Sequence, residues 1–423
     1  MKLGAPLYRL ATKAAAPGVP LWLRRRVKQG KEDPQRLGER LGQASRPRPN
    51  GALVWMHGAS VGESQLLLGL AGEIARVRSD WTILFTSQTQ TSADLVGARL
   101  TGDHVHQMAP LDTPRIAARF LAHWRPGLAV FAEGEIWPNL IMEAGRRAVP
   151  LALINARMTE RSRAGWARWP SLSRRLFGAF DHIAPADDAT GKALAALAGR
   201  SVAPAFNLKQ SLPALECDGA ALAAIRRDFI AGRPCALAAS THAGEEEVFL
   251  QACAALPERP ALIIAPRHPE RADDIAAGLA RRGLSFSRRS ARAPASADHT
   301  VLLADTIGEM GLWYTVADAV YLGGATAENI GGHNPIEPLQ FGKPVVTGPH
   351  GYNFKALFSE LETASLLSVA ETPEALGRAL AAQLAAGEGL DAEALGGFLT
   401  RARAPLAALA KTLVGLAEQG PAP

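Results

Sequence analysis

Cysteine is scarce in this chain of 423 residues: there are three, Cys217, Cys235 and Cys253. They are odd in number, widely spaced and form no CxxC pair. That argues against a disulfide framework and a thiolate zinc site, and fits a reducing compartment. Long apolar runs are also missing near the start. The longest uncharged stretch there, Ala14–Leu23, is interrupted by Pro17 and Pro20, whereas a spanning helix needs about 20 apolar residues. The same segment lacks the unbroken apolar core and small-residue cleavage site of a signal peptide. No GxxxxGK(S/T) run occurs, which makes an ATP P-loop unlikely, and no GxGxxG follows the first strand. His104 and His106 alternate on one strand face without a third ligand, so they are read as structural and no metal is expected.

Acidic residues are absent from Met1 to Lys31, where eight Lys or Arg stand. The whole chain carries +6, so everything after Lys31 is slightly acidic. The basic character belongs to an N-terminal segment, not to a nucleic-acid-binding body, and no nucleic-acid partner is expected. Leu3, Leu7, Tyr8, Leu10, Leu21, Trp22 and Leu23 accompany Arg24, Arg25, Arg26 and Lys28. That mixture predicts an interfacial segment meeting anionic headgroups; a solvated basic tail is the plainer reading. Hydrophobic residues at 48% and charged residues at 20% exclude a disordered or collagen-like chain.

After Pro49, strand and helix patterns alternate. Ala52–Met56, Thr82–Phe85, Leu128–Phe131 and Leu151–Ile154 read as strands, with helices over Ser64–Val77, Pro138–Arg147, Arg161–Phe180 and Ala186–Leu197. Periodicity lapses over Asn207–Pro213 and then resumes, with strands at Cys235–Ala239, Ala261–Ala265, Val301–Ala304, Ala319–Leu322 and Pro344–Thr347. Helices are expected near Gly244–Ala255, Glu270–Arg281, Gly308–Thr315, Pro335–Phe341 and Asn353–Leu361. Pro373–Ala386, Ala392–Arg403 and Pro405–Glu418 close the chain, Pro405 suiting a first helical turn. The division is therefore a basic segment 1–49, a Rossmann-like domain 50–206, a linker 207–213 and a second Rossmann-like domain 214–423. Two doubly wound parallel sheets imply a cleft, with ligands at the carboxyl ends of the strands.

Five constellations carry chemistry. Met56-His57-Gly58-Ala59-Ser60-Val61-Gly62-Glu63-Ser64 follows a strand and opens a helix. Glu63 near that helix start is either a general base or a helix-capping acid. Glu133 and Glu135 follow a buried strand, where carboxylates are costly unless paired or solvated. They face a cleft or cap the helix begun by Pro138. Arg267-His268, bracketed by prolines, ends another strand, and arginine's planar fork suits phosphate or carboxylate. Asp305-Thr306-Ile307-Gly308-Glu309-Met310 is a strand-to-helix junction whose amides suit phosphate. Gly331-Gly332-His333-Asn334-Pro335-Ile336-Glu337-Pro338 is a glycine-rich entry to a helix, where Glu337 is placed for ribose hydroxyls. Ordinary turn and capping chemistry is the alternative for the last two.

Together these blocks resemble the 3-deoxy-D-manno-octulosonic acid (Kdo) transferases, the lipid A glycosyltransferases of Gram-negative bacteria. HGASVGE, EIWPNL, NARMTERS, FNLK, APRHPER, DTIGEMG, GGHNPIEP and GKPVVTGPH match in order from about Arg36 to Phe354. The resemblance implies a GT-B fold, two Rossmann-like domains facing across a cleft. It implies inverting transfer of Kdo from CMP-Kdo to a tetraacylated lipid A precursor, lipid IVA, at the cytoplasmic face of the inner membrane. Glu63 matches the family's base, and Glu133 and Lys209 its transition-state-stabilising positions. Arg267, His268, Gly308, Glu309, Met310, Asn334, Pro335, Ile336 and Glu337 match its CMP contacts. No cofactor is implied, and no metal is demanded by a donor with one phosphate. Members usually carry an apolar N-terminal anchor; here the segment is short, proline-broken and basic, which keeps membrane contact and leaves spanning open. The family's usual ETE block is Glu133-Gly134-Glu135 here, with both carboxylates kept. Two other readings stand: a GT-B enzyme using a UDP-sugar (or an epimerase of that architecture), and a non-catalytic lipid-binding protein at the membrane.

Overall fold

The computed structural model describes residues 4–256, 259–291, 295–386 and 390–420. Lys2 and Leu3 of the basic segment lie outside them. The chain forms two compact units, Met1–Leu212 with Arg403–Pro423, and Pro213–Ala402.

The first unit is built on a six-stranded sheet, β1 (Leu53–His57), β2 (Thr82–Ser87), β3 (Val105–Met108), β4 (Leu128–Ala132), β5 (Leu151–Ala156) and β6 (His182–Pro185), in the order β3-β2-β1-β4-β5-β6. Every pairing is parallel. A parallel sheet is covered on both faces, so its strands read as continuous apolar runs. Along β1, Leu53 and Trp55 enter one core cluster while Val54 and Met56 enter the other. Chain order reverses between β1 and β4, the topological switch point of such a sheet.

The second unit has a seven-stranded parallel sheet: β7 (Cys235–Thr241), β8 (Ala261–Pro266), β9 (Phe286–Arg288), β10 (Val301–Leu303), β11 (Ala319–Leu322), β12 (Val345–Thr347) and β13 (Leu367–Val369), in the order β13-β12-β11-β7-β8-β10-β9. Its switch point lies between β7 and β11.

Several expectations are corrected. Residues 403–420, assigned with the rest of the C-terminus to the second domain, pack in the first unit: Leu406, Leu409, Ala410 and Leu413 join a core with Leu66, Leu70 and Ile74. Pro405 does not start a helix; it lies inside one that runs Ala392–Gln419. An interior proline costs about 3 kcal/mol, and the apolar residues buried on both sides of it, Phe398 and Leu406 among them, offset that. The segment read as a linker holds a turn, Leu208–Ser211, with Leu208 buried in the first unit. The long helix expected over Arg161–Phe180 is two, Glu160–Ala167 and Pro170–Phe177, divided just before Pro170.

The N-terminal segment forms helices Gly4–Ala15 and Val19–Lys28, joined by a turn at Ala16–Gly18. It is fastened to the body. Tyr8 Oη donates to Asp112 Oδ2 at 2.9 Å, and Asp112 also accepts from the Asn139 and Leu140 amides at 3.1 and 2.9 Å. Asn139 Nδ2 in turn donates to Thr12 Oγ1 at 3.1 Å. Asp112 thus caps helix Pro138–Arg146 and ties the first helix to it. Asp112→Ala leaves two buried amides unpaired and is expected to cost about 1–3 kcal/mol in denaturant unfolding. Tyr8→Phe removes only the tie: limited proteolysis before residue 30 is expected to speed up while global unfolding shifts by about 1 kcal/mol or less. No helix among the described residues is long and apolar enough to cross a membrane.

Candidate active site

The first unit's switch point gathers three carboxylates. Helix Val61–Val77 starts at Ser60, whose Oγ accepts from the Glu63 amide at 3.4 Å. Glu63 reaches back: Oε2 accepts from the Ala59 amide and Oε1 from the Ser60 hydroxyl, both at 2.8 Å. This is a reciprocal cap related to the capping box, with the acid on the amide before the N-cap residue, so the capping reading of Glu63 holds geometrically. It does not exhaust the residue. Glu63 is 8% exposed, and burial, with smaller contributions from Glu135 and Glu133, outweighs those hydrogen bonds and raises its pKa. A capping acid alone would be held down. Gly58 makes the approach possible, since a Cβ there would stand 2.9 Å from Glu63 Cβ.

β4 delivers the other two. Glu133 sits in the left-handed region at φ 52°. Its Oε1 meets Lys209 Nζ at 2.6 Å and accepts from Asn155 Nδ2 at 3.2 Å. Asn155 is fully buried with φ 48°, at a register shift between β5 and β6. Its Oδ1 accepts the Leu208 amide at 2.9 Å, fixing the turn that presents Lys209. Non-glycine residues held at positive φ and bulges beside strand ends are features that cluster at functional sites. Gly62 completes the arrangement: a Cβ there would lie 3.3 Å from Lys209 Nζ. Lys209 therefore lies over the start of the helix that carries Glu63.

Glu135 is differently held. Its Oε2 accepts from His57 Nε2 at 3.1 Å, Gln88 Nε2 at 2.7 Å and Trp137 Nε1 at 2.8 Å. Burial alone would raise its pKa, but these bonds, His57 first, hold it below the ordinary range. Trp55 Nε1 donates to Thr86 Oγ1 at 2.8 Å, and Thr86 Oγ1 lies 2.9 Å from His57 Nδ1. A neutral imidazole that donates from Nε2 to Glu135 accepts at Nδ1 from the Thr86 hydroxyl. Glu135 stays ionised while Glu63 is pushed toward protonation, a separation of environments typical of acid–base sites. His106 bonds Arg36 and Ser87, each at 2.9 Å, and belongs to the packing.

In the second unit, Arg267 and His268 lie exposed at the end of β8. The Arg267 amide donates to Thr241 O at 3.0 Å, beside the end of β7. Asn334 Oδ1 accepts the Ile336 amide at 3.2 Å. Glu337 has its pKa raised by burial, with Arg267 and Asn334 acting against that. Pro335 and Ile336 are buried. Gly308, at φ 91°, is exposed before the helix begun by Met310. Glu309 is committed to Arg289 at 2.6 Å and to the Thr306 hydroxyl, which makes it a loop-bracing residue.

Sequence reasoning passed over the β7–helix junction. Glu245 there accepts from the Gly324 amide at 2.8 Å, the Thr326 amide at 3.1 Å and the His242 amide at 2.9 Å. It clamps the glycine loop after β11 onto the end of β7. The signal was present: Ser240-Thr241-His242-Ala243-Gly244-Glu245 repeats the strand, glycine turn and first-turn acid of the Glu63 block.

The same architecture occurs in solved structures. A glycosyltransferase from Rickettsia africae ESF-5 superposes with a TM-score of 0.54 at 9% identity, over 88% of this chain and 97% of that one. UDP-GlcNAc 2-epimerase from Neisseria meningitidis superposes at 0.51 and 12%, over 86% and 99%. At such identities the likeness is one of fold. The family described as 3-deoxy-D-manno-octulosonic-acid transferase (kdotransferase) matches residues 35–212. The 3-deoxy-D-manno-octulosonic acid transferases of Haemophilus influenzae and Bordetella pertussis are both 34% identical. The first match covers 83% of each chain; the second covers 84% of this chain and 85% of its relative. A probable mitochondrial counterpart from Arabidopsis thaliana is also 34% identical, over 88% of this chain and 86% of its own. Two doubly wound parallel sheets, with these relatives, define an enzyme of the GT-B class, a glycosyltransferase. The chain belongs to the 3-deoxy-D-manno-octulosonic acid transferase family.

Proposed function

We propose that this enzyme transfers Kdo from CMP-Kdo to a hydroxyl of a lipid A precursor, with inversion, at the cytoplasmic face of the inner membrane. The observation that carries the reading is the buried Glu63, its pKa raised by burial, beside the Glu133–Lys209 pair at one switch point. Glu63 takes the proton from the acceptor hydroxyl as that oxygen attacks the anomeric carbon. The bond from that carbon to the phosphate oxygen breaks, and CMP leaves with the electron pair. In the first unit Lys209 supplies positive charge beside Glu63; in the second, Arg267 and the amides around Gly308 and Asn334 suit the departing phosphate.

The acceptor side is supported by the surface of the first unit. Leu7, Leu10, Leu21, Trp22 and Trp169 are exposed there, as are Lys13, Arg24, Arg25 and Lys28. Leu7, Tyr8, Ala11, Trp166, Trp169 and Leu172 line a groove of about 480 Å³, apolar and suited to hydrocarbon. Basic and aromatic residues over an apolar face are what an anionic lipid surface selects. The test is incubation of the purified chain with CMP-Kdo and the lipid acceptor in anionic vesicles. A product heavier by whole Kdo residues, inhibited by CMP and not by UDP, supports the reading. Inhibition by UDP alone overturns the donor, and no product overturns the activity.

A further inference from the structure

The second unit holds a histidine pair outside the expected nucleotide contacts. His242 follows β7, and His333 precedes Asn334. Their Nε2 atoms stand 3.0 Å apart, with rings 5.1 Å between centroids and 16° between planes. His268 closes a third side, its ring 5.6 Å from that of His242 at 75°. The backbone is bent to allow this. Ser240 adopts φ 53°, Gly324 φ 83° and Gly332 φ 87°. A Cβ on Gly324 would lie 2.6 Å from His333 Cδ2, and one on Gly323 would lie 2.9 Å from Ser240 O. Neither position accepts a side chain without moving the His333 ring or the carbonyl it uses.

The protons can be counted. His333 hydrogen-bonds the Ser240 backbone, and with Nε2 given to His242 this bond runs from Nδ1–H to the carbonyl. Nε2 of His333 therefore accepts, and Nε2–H of His242 donates. His242 keeps Nδ1 for something else. The charged and titratable groups facing His242 are Glu245, His268, Arg271 and Arg267; those facing His333 are His242, Arg267 and His268. Glu245 is the acid that faces His242, and backbone amides already occupy its carboxylate; Glu270 lies 3.3 Å from His268, Glu246 pairs with Arg271 at 2.9 Å and Glu337 faces Arg267. Burial first lowers the pKa of both rings, Arg267 adding to it at each and Glu245 opposing it at His242; that of His333 falls to about 4. Burial beside Arg267 disfavours the charged rings, a condition that a bound anion relieves.

We propose that His242, positioned by His333, forms with Arg267 a subsite for an anionic group, phosphate or carboxylate, of the ligand at this switch point. Arg267 presents its fork, and His242 takes up a proton at Nδ1 and donates it to the anion. The identity of the ligand rests on the donor reading above: CMP-Kdo offers a phosphodiester and a sugar carboxylate.

The test is calorimetric titration of the full chain with cytidine, CMP and CMP-Kdo, for wild type, His242→Gln and His333→Gln. Cytidine affinity is expected to hold within about twofold, while an anionic ligand weakens about tenfold or more, the worth of one charge-assisted hydrogen bond. Loss shared by CMP and CMP-Kdo assigns the phosphate; loss confined to CMP-Kdo assigns the carboxylate. No change in any ligand, or equal weakening of all three, overturns the subsite. Should wild type bind no cytidine nucleotide, the donor reading fails by itself. Titration with inorganic phosphate and acetate, followed on the histidine ring resonances, then decides: shifts at His242 and His333 support the subsite, and still resonances overturn it.

Discussion

Glu63→Gln is expected to lower kcat/KM for Kdo transfer by about 10²–10⁴-fold, the range of a general base, with the fold intact. Glutamine retains the local bonding: its oxygen accepts from the Ala59 amide and its amide donates to Ser60 Oγ, replacing bonds now at 2.8 Å. What it cannot do is accept a proton. Because burial raises the Glu63 pKa, the acid limb of the wild-type kcat/KM profile should lie above the ordinary carboxylate range. Rate climbs with pH as Glu63 ionises, and the variant's residual rate lacks that limb. Stability runs the other way. The folded pKa exceeds the unfolded one, so the proton on Glu63 stabilises the fold below the unfolded pKa, and this is lost as pH rises through the folded value. Thermal melts between about pH 4 and 8 should show the variant gaining on wild type as pH rises. A variant with wild-type turnover, or with the acid limb intact, would refute the assignment of the base.

The parts of the molecule legible in its sequence share a physical cause. Central strands of a parallel sheet are apolar on both faces, and β1, β4, β5, β7, β8 and β11 stand out as unbroken runs such as LAVF and ALIIA. The outermost strands of each sheet, β3, β6, β9 and β13, escape notice or show only through His104 and His106. They are short and carry polar residues such as Ser287 and Ser368. Glu133 stood out because a carboxylate at the end of a buried strand is costly without a purpose, and Glu63 because it follows a glycine turn at a helix start. Asn155 and Glu245 were not: each acts through backbone amides that only folding brings near, from Leu208 in one case and from Gly324 and Thr326 in the other. Assignment of residues 403–420 failed for a related reason. An alanine- and leucine-rich helix suits any core, and its sequence does not name the one it joins.

Lys209→Met is expected to lower kcat by about 10²–10³-fold, the cost of removing one electrostatic stabiliser of a developing anion, with little effect on donor KM. The side chain is about one-third exposed, so its pair with Glu133 contributes little to stability and the loss should be read in turnover, not in melting. Glu133 has a different part. It grips Lys209 at 2.6 Å while Asn155 grips both it and the turn that bears the lysine. If Glu133 serves only to aim that ammonium, Glu133→Gln leaves the cation present but loosely held, and kcat should fall less than in Lys209→Met. The double variant should then match Lys209→Met alone, because a residue that acts through another adds nothing once that other is gone. Additive losses would instead mean that the Glu133 carboxylate meets the reacting sugar itself, as its neighbourhood with Glu63 permits. Single-turnover rates for the three variants separate the two roles, since they exclude product release from the comparison.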